Sequence, residues 1–205
     1  MKTINIGIIG YGIVGTGVAS LLIQKKELLE ARTGAFLTLK TIADIDITTD
    51  RGVELGTTLL VNDALEVIND PEIDIVVELV GGDTIAKEFT LKALGNGKHV
   101  VTANKALLAG HGNELVNVAG RNQVDLAFEA SCGGCMPIIK SLRESLVANT
   151  ILSMSAILNG TCNYILTKIS QDGSSFEDAL KDAQELGFAE AEPSLDVDGH
   201  DTAHK

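Results

Sequence analysis

Short apolar runs alternate with stretches of helical periodicity along the first two thirds of the chain. Ile4 to Ile9 reads as a buried strand, followed by a glycine turn, Gly10-Tyr-Gly-Ile-Val-Gly15, and an amphipathic helix over Val14 to Leu29. A second strand is predicted over Leu37 to Ile45, ending in acidic residues, and a short helix over Asp63 to Asn69. Ile73 to Val80 is strongly apolar and closes on Gly81-Gly82. Ile85, Phe89, Leu91 and Leu94 recur at helical spacing within Thr84 to Asn96. His99 to Thr102 is the next strand. Helical stretches over Asn104 to Leu108 and Gly112 to Asn122 lead into a strand over Asp125 to Glu129. This alternation predicts an α/β fold built on a doubly wound parallel sheet.

Around Ser131-Cys-Gly-Gly134 the pattern changes. Helices are predicted over Pro137 to Ala148, Asn163 to Ser170 and Ser175 to Leu186, with a strand over Ser153 to Leu158. Two domains are therefore expected, 1–130 and 131–205, the second being part of an α+β domain. Aromatic residues make up only 3% and Trp is absent, so an aliphatic core must carry the 45% hydrophobic content. Abundant Val and Ile with 21 glycines suit a buried parallel sheet with tight turns.

A net charge of −12 repels nucleic acid and anionic membranes, and both are set aside as partners. Three cysteines are too few for a disulfide scaffold and suit a reducing cytoplasm. Cys132 and Cys135 have C-x-x-C spacing, but no second pair or nearby His completes a zinc site. The uncharged stretch Thr3 to Gln24 superficially resembles a signal peptide. Glycines at 7, 10, 12, 15 and 17 interrupt it too often for that reading.

Gly10-x-Gly12-x-x-Gly15 follows a strand and opens a helix, the setting in which such a turn cradles a dinucleotide. On that reading Gly10 permits the turn, Gly12 lets the backbone approach a pyrophosphate, and Gly15 lets helix and sheet close up. The alternative is a βα turn without a ligand. The candidate cofactor-binding positions are Gly10, Gly12, Ile13, Val14, Gly15, Asp44, Val80, Gly81 and Lys105, on a Rossmann-type sheet. Asp44 and Asp46 both stand where a carboxylate would read the adenosine ribose and repel a 2′-phosphate, which favours NAD, although Arg51 is close enough in sequence to complicate this and two acids solvated in a loop read the same way. Lys105 follows the fifth strand, at the carboxyl end where ligands bind, although a surface lysine reads the same way.

Asn159-Gly-Thr161 is a polar turn whose composition turn chemistry alone explains. Glu129, at a strand end before Gly133-Gly134, stands where a loop can supply oxygen to a cation, and a simple tight turn reads equally well. The segment Glu190 to Lys205 carries five carboxylates and closes on lysine. A helix starting after Gly199 would set Asp201 and Lys205 on one face. The pair is either an ordinary ion pair or a proton-exchanging site.

Taken in order, several blocks resemble homoserine dehydrogenases: Gly10 to Gly15, Thr102-Ala-Asn-Lys-Ala-Leu-Leu-Ala109, Glu129-Ala-Ser-Cys-Gly-Gly134 and Pro137-Ile-Ile139. The similarity continues through Ile157-Leu-Asn-Gly-Thr-Cys-Asn-Tyr-Ile-Leu166, Ala183 to Pro193 and Asp196 to Lys205. The resemblance implies NAD(P)-dependent interconversion of L-homoserine and L-aspartate 4-semialdehyde, on the route to threonine and methionine. It assigns Lys205 as general acid/base and Asp201 as the carboxylate orienting it. It further gives Glu190 and Asp196, with Asn159 and Thr161, to the substrate, and Lys105 to the space between cofactor and substrate. A sodium site would fall on Glu129 and the carbonyls of Cys132, Gly134 and Met136. A homodimer through the second domain is also implied.

Three departures from the family pattern bear on this, the mildest being Cys162, which replaces a common Thr in the Asn-Gly-Thr block. Cys135 stands where glycine is usual, and Ile45 where many NADP-using members carry arginine, which again favours NAD. The family continues past the lysine, so a fragment is expected. The rival readings are another amino-acid dehydrogenase and a non-catalytic dinucleotide-binding module.

Overall fold

The computed structural model describes residues 1–190 and 192–205. The chain divides into two compact units, Met1–Arg143 and Glu144–Lys205. The boundary expected near residue 130 falls just after the last strand of the sheet.

In chain order the first unit comprises β1 (Lys2–Ile9), α1 (Ile13–Gln24), α2 (Lys26–Thr33), β2 (Ala35–Ala43), β3 (Leu59–Val61) and α3 (Ala64–Ile68). It continues with β4 (Ile75–Glu78), α4 (Thr84–Gly95), β5 (His99–Thr102), α5 (Lys105–Arg121), β6 (Leu126–Ala127), α6 (Glu129–Cys132) and α7 (Ile138–Lys140). The sheet has the order β3-β2-β1-β4-β5-β6, and every neighbouring pair is parallel. That order joins two mononucleotide-binding halves, with the strand order reversing between β1 and β4. The register pairs Ile9 with Ala43 and Glu78, and Glu78 with Thr102. The carboxyl ends of four strands therefore finish side by side, and the loops beyond them share one edge.

Successive strand residues feed opposite faces. Val76 packs with Ile9, Val100, Leu94 and Leu107 on one side, and Val77 with Ile6, Ile8, Ile42 and Ala19 on the other. A sheet covered on both faces needs this near-continuous aliphatic sequence.

Three differences from the sequence expectation have physical causes. The single helix expected over Val14 to Leu29 divides at Lys25 (φ −106°, ψ 19°), and α2, which buries no residue, runs on to Gly34 in the left-handed region. The two helical stretches expected between Asn104 and Asn122 form one helix, α5. Burial of Leu107, Leu115 and Ala119 outweighs the ~1 kcal/mol that each interior glycine costs. Strand β3 was not expected, because three residues carry too little periodicity.

Lys98 is buried between α4 and β5, where its amine donates to the carbonyls of Asp70 and Ile73, the latter at 2.8 Å. Burial lowers its pKa, and the nearby Asp70 and Asp74 partly oppose this. Lys98→Met keeps the apolar stem but leaves two carbonyls without their donor. It is expected to lower unfolding stability by about 1–3 kcal/mol. Urea denaturation of the two proteins measures this, and coincident midpoints would contradict it.

The second unit is helical among the described residues: α8 (Gly160–Thr167), a π-helical turn (Lys168–Asp172), α9 (Phe176–Glu185), α10 (Ser194–Val197) and α11 (His200–His204). Ile165, Ala179, Ala183 and Ala189 form its small core, beside the Tyr164 and Phe188 rings at 5.1 Å. Asn159 caps α8 through Cys162 N, and Ser175 caps α9 through Asp178 N. The helix expected over Pro137 to Ala148 is instead α7 followed by a π-helical turn, Ser141–Ser145, neither of which buries a residue. Ser153 to Leu158 is not a strand. Its residues are all exposed and find no pairing partner among the described residues. No helix among the described residues is long and apolar enough to cross a membrane.

Candidate functional site

The turn after β1 has a separate physical reason for each glycine. Gly10 has φ +101°, and a Cβ there would stand 2.6 Å from the Leu79 carbonyl oxygen. A Cβ on Gly15 would stand 2.0 Å from the Gly10 oxygen, so helix and turn can close only without a side chain. A Cβ on Gly12 would meet nothing within 4 Å. Gly12 therefore faces open space and leaves the backbone approachable. Gly12 is also the N-cap of α1, whose first turn carries no acidic residue. The positive end of that helix is thus available to an anion. Ile13 and Val14 are exposed beside it, and Gly12, Ile13 and Thr16 line a recess with Arg51.

The two acids after β2 differ in what they do. Asp44 reaches the glycine turn: one carboxylate oxygen accepts from Tyr11 N at 2.5 Å and the other from Asp46 N at 2.8 Å. Asp46 is spent on its own loop, accepting from the Thr48 and Thr49 N–H groups and from the Thr48 hydroxyl. Hydrogen bonds from Thr49 and Thr48 hold its carboxyl far below the usual range. The Arg51 guanidinium lies 3.7 Å from Asp44, 3.4 Å from Asp46, and 5.0 Å from the centre of the Tyr11 ring. Tyr11 thus joins a site for which the sequence offered Asp44 and Asp46, with Arg51 beside both acids.

A second recess, at the ends of β4 and β5, is lined by Val14, Leu79 to Gly82 and Ala103 to Ala106. It gathers Val14, Val80, Gly81 and Lys105 from the expected cofactor positions. Asn104 caps α5 by accepting from Leu107 N, and its amide donates to the carbonyls of Val80 and Gly82 at 3.2 and 2.5 Å. Beneath this rim lies Glu78, fully buried at 0% exposure. The only sequence signal for it is a lone acid in an apolar strand.

Glu129 sits at the start of α6. Its two carboxylate oxygens accept from Ile139 N and Lys140 N at 2.7 and 2.8 Å, capping α7. The Met136 carbonyl accepts from Ile138 N. Cys132 and Gly134 lie in the same loop, where Cys135 adopts φ +61°, the conformation a glycine would take there. Holding a non-glycine residue so costs roughly 1–2 kcal/mol.

In the second unit one polar cluster gathers four of the expected residues. Asn159 donates its amide to Asp196 at 2.8 Å and to Asp201 at 3.0 Å, while its oxygen accepts from Cys162 N. Gly199, at φ +81°, opens α11, so Asp201 and Lys205 do share one face. The Lys205 amine lies 3.2 Å from Asp201 and donates to the Leu158 carbonyl at 2.7 Å. Thr161 stands apart from this chain of contacts and donates to the Phe188 carbonyl at 2.5 Å. Glu190 is exposed, and its backbone carbonyl accepts from Gln184. The cluster contains an amine held by a carboxylate and a carbonyl, with a second carboxylate anchored alongside. Such a set can bind a cationic group and exchange a proton.

Comparison with known proteins bears on both units. Residues 10–129 match the family model described as the homoserine dehydrogenase NAD binding domain, and residues 137–205 match that for homoserine dehydrogenase. A homoserine dehydrogenase of Neisseria gonorrhoeae is 45% identical over 205 residues, covering 100% of this chain and 47% of its own. The crystal structure of a homoserine dehydrogenase from Thiobacillus denitrificans superposes with a TM-score of 0.89 at 44% identity, over 100% of this chain and 47% of that one. A hyperthermophilic archaeal homoserine dehydrogenase in complex with NADPH gives 0.80 at 30% identity, over 100% and 67%. The chain spans about half the length of the curated relatives it matches.

Proposed function

Because the chain belongs to the homoserine dehydrogenase family, we propose that the protein it represents interconverts L-homoserine and L-aspartate 4-semialdehyde with a nicotinamide dinucleotide. The observation that carries this reading is the Lys205 amine, held between Asp201 and the Leu158 carbonyl, in a chain that also bears the open Gly12 turn. The residues present fit a dinucleotide: an approachable backbone at Gly12, an unopposed helix N-terminus and a carboxylate at the end of β2. When bound, the oxidised dinucleotide accepts the hydride that leaves the hydroxyl-bearing carbon.

Lys205, in its neutral form, takes the hydroxyl proton of homoserine as that carbon becomes an aldehyde, and returns it in the reverse direction. Asp201 orients the amine and is itself steadied by Asn159. Asp196 and Glu190 supply negative charge for the substrate ammonium. Lys105, at the start of α5, borders the recess at the β4 and β5 ends and supplies positive charge on that side. Homoserine oxidation, followed by absorbance of the reduced dinucleotide in a chain extended to the relatives' length, tests the reading. Turnover of another amino acid in preference to homoserine would overturn it.

NAD is the preferred cofactor and NADP the second. Asp44 has lone pairs left for a ribose hydroxyl after accepting from Tyr11 and Asp46, and its charge repels a 2′-phosphate. Ile45, where many NADP-using members carry arginine, is 98% exposed and offers no cation. Asp44→Ala removes the repulsion and leaves Arg51 beside the ribose position. The ratio of NAD to NADP affinity is expected to narrow by about tenfold, roughly 1.4 kcal/mol. Titration with both dinucleotides measures it, and an unchanged ratio would remove Asp44 from the ribose site.

A further inference from the structure

Glu78 ends β4, surrounded by the aliphatic positions of a sheet core, where valines occupy the two preceding places. A carboxylate there is costly unless its oxygens are satisfied. Both are. One accepts from Val80 N at 2.7 Å, and the other accepts from the Thr102 hydroxyl at 2.6 Å. The Thr102 oxygen in turn accepts from Asn104 N at 3.0 Å, and the Asn104 amide returns to the carbonyls of Val80 and Gly82. The bonds close a ring: Glu78, Val80, Asn104, Thr102 and back to Glu78. Burial pushes the Glu78 carboxyl up, and the bonds from Thr102 and Val80 oppose that.

The ring joins two segments that are separate in sequence. Val80 to Gly82 form one wall of the recess at the β4 and β5 ends, and Ala103 to Ala106 the other. These strands belong to the second mononucleotide-binding half of the sheet, whereas Asp44 and the glycine turn belong to the first. If the adenosine half lies at Asp44, the nicotinamide half falls to the recess that Glu78 underlies.

We propose that Glu78 is a positioning residue for the nicotinamide half of the dinucleotide, acting through Val80 and the Thr102–Asn104 turn to hold the two recess walls at a fixed separation. The inference rests on the dinucleotide reading above. The direction of the bonds gives it chemical content. An ionised carboxylate only accepts, which leaves the Thr102 oxygen free to accept from Asn104. A glutamine amide would instead donate to Thr102, crowding its oxygen with two donors and leaving the hydroxyl hydrogen without an acceptor.

Binding of NAD and of ADP-ribose to the whole 205-residue chain and to its Glu78→Gln variant separates the outcomes. ADP-ribose keeps the adenosine and pyrophosphate but lacks nicotinamide. Glu78→Gln is expected to weaken NAD at least about tenfold and to leave ADP-ribose within about twofold. Thr102→Val cuts the same ring from the other side. It is expected to reproduce the split, so a poorly folding glutamine variant does not stop the test. Parallel weakening of both ligands in either variant would mean that Glu78 only supports the fold, and an unchanged NAD affinity would remove it from binding. Either result overturns the proposal. Failure of the unaltered chain to bind either ligand would instead overturn the dinucleotide reading itself.

Discussion

Replacing Lys205 by alanine, in a chain extended to the length of its relatives, is expected to lower kcat for homoserine oxidation on the order of 10²–10⁴-fold. The expectation follows from how the amine is held. Asp201 and the Leu158 carbonyl fix it from two sides, so its position does not depend on a flexible stem. Asp201 is independently anchored by the Asn159 amide, which also binds Asp196. Removing the amine therefore leaves the carboxylates in place, and substrate binding should suffer less than turnover. Dinucleotide affinity, a property of the Met1–Arg143 unit, should not change. Lys205→Arg sharpens the test. Arginine keeps the positive charge but does not release a proton at accessible pH. If the role of Lys205 is proton transfer, arginine fails as alanine does. If it is charge alone, arginine largely restores kcat. A wild-type kcat for the alanine variant would end the assignment.

The two sites differ in how far local sequence specifies them. Gly10, Gly12 and Gly15 act within one turn, and the Asp201 to Lys205 spacing acts within one helical turn, so both were legible from spacing. Glu78 was not. Its partner Thr102 is distant along the chain, and only the parallel register of β4 and β5 sets the two opposite each other. Asp44 and Asp46 could not be told apart on sequence, since both are acids at a strand end. The fold separates them because Asp46 closes its own turn while Asp44 reaches Tyr11. The Glu129 contacts were equally hidden from spacing: its two oxygens accept from Ile139 N and Lys140 N, which only the folding of the intervening loop brings to them. The strand expected over Ser153 to Leu158 shows the limit of apolar patterning, which proposes a strand but cannot supply its neighbour.

The glycine turn allows fold and binding to be separated by two one-methyl changes, Gly15→Ala and Gly12→Ala. The first drives a Cβ to 2.0 Å from a backbone oxygen of Gly10, an atom that cannot swing aside as a side-chain end can. The turn or the whole of α1 must shift, so an overpacking cost of about 3 kcal/mol or more is expected. The second puts a Cβ into space that holds no protein atom, at a residue whose φ of −72° alanine accepts. Its cost to folding is limited to the poorer capping of α1, about 1 kcal/mol. That same methyl occupies the side of the turn by which a pyrophosphate would approach the helix N-terminus. Dinucleotide affinity of Gly12→Ala should therefore fall by more than about tenfold. Melting curves and NAD titrations of both variants decide the matter. The expected pattern is a destabilised Gly15→Ala and a nearly wild-type melt for Gly12→Ala that binds weakly. Unchanged NAD binding by Gly12→Ala would show that the open side of the turn does not receive the ligand.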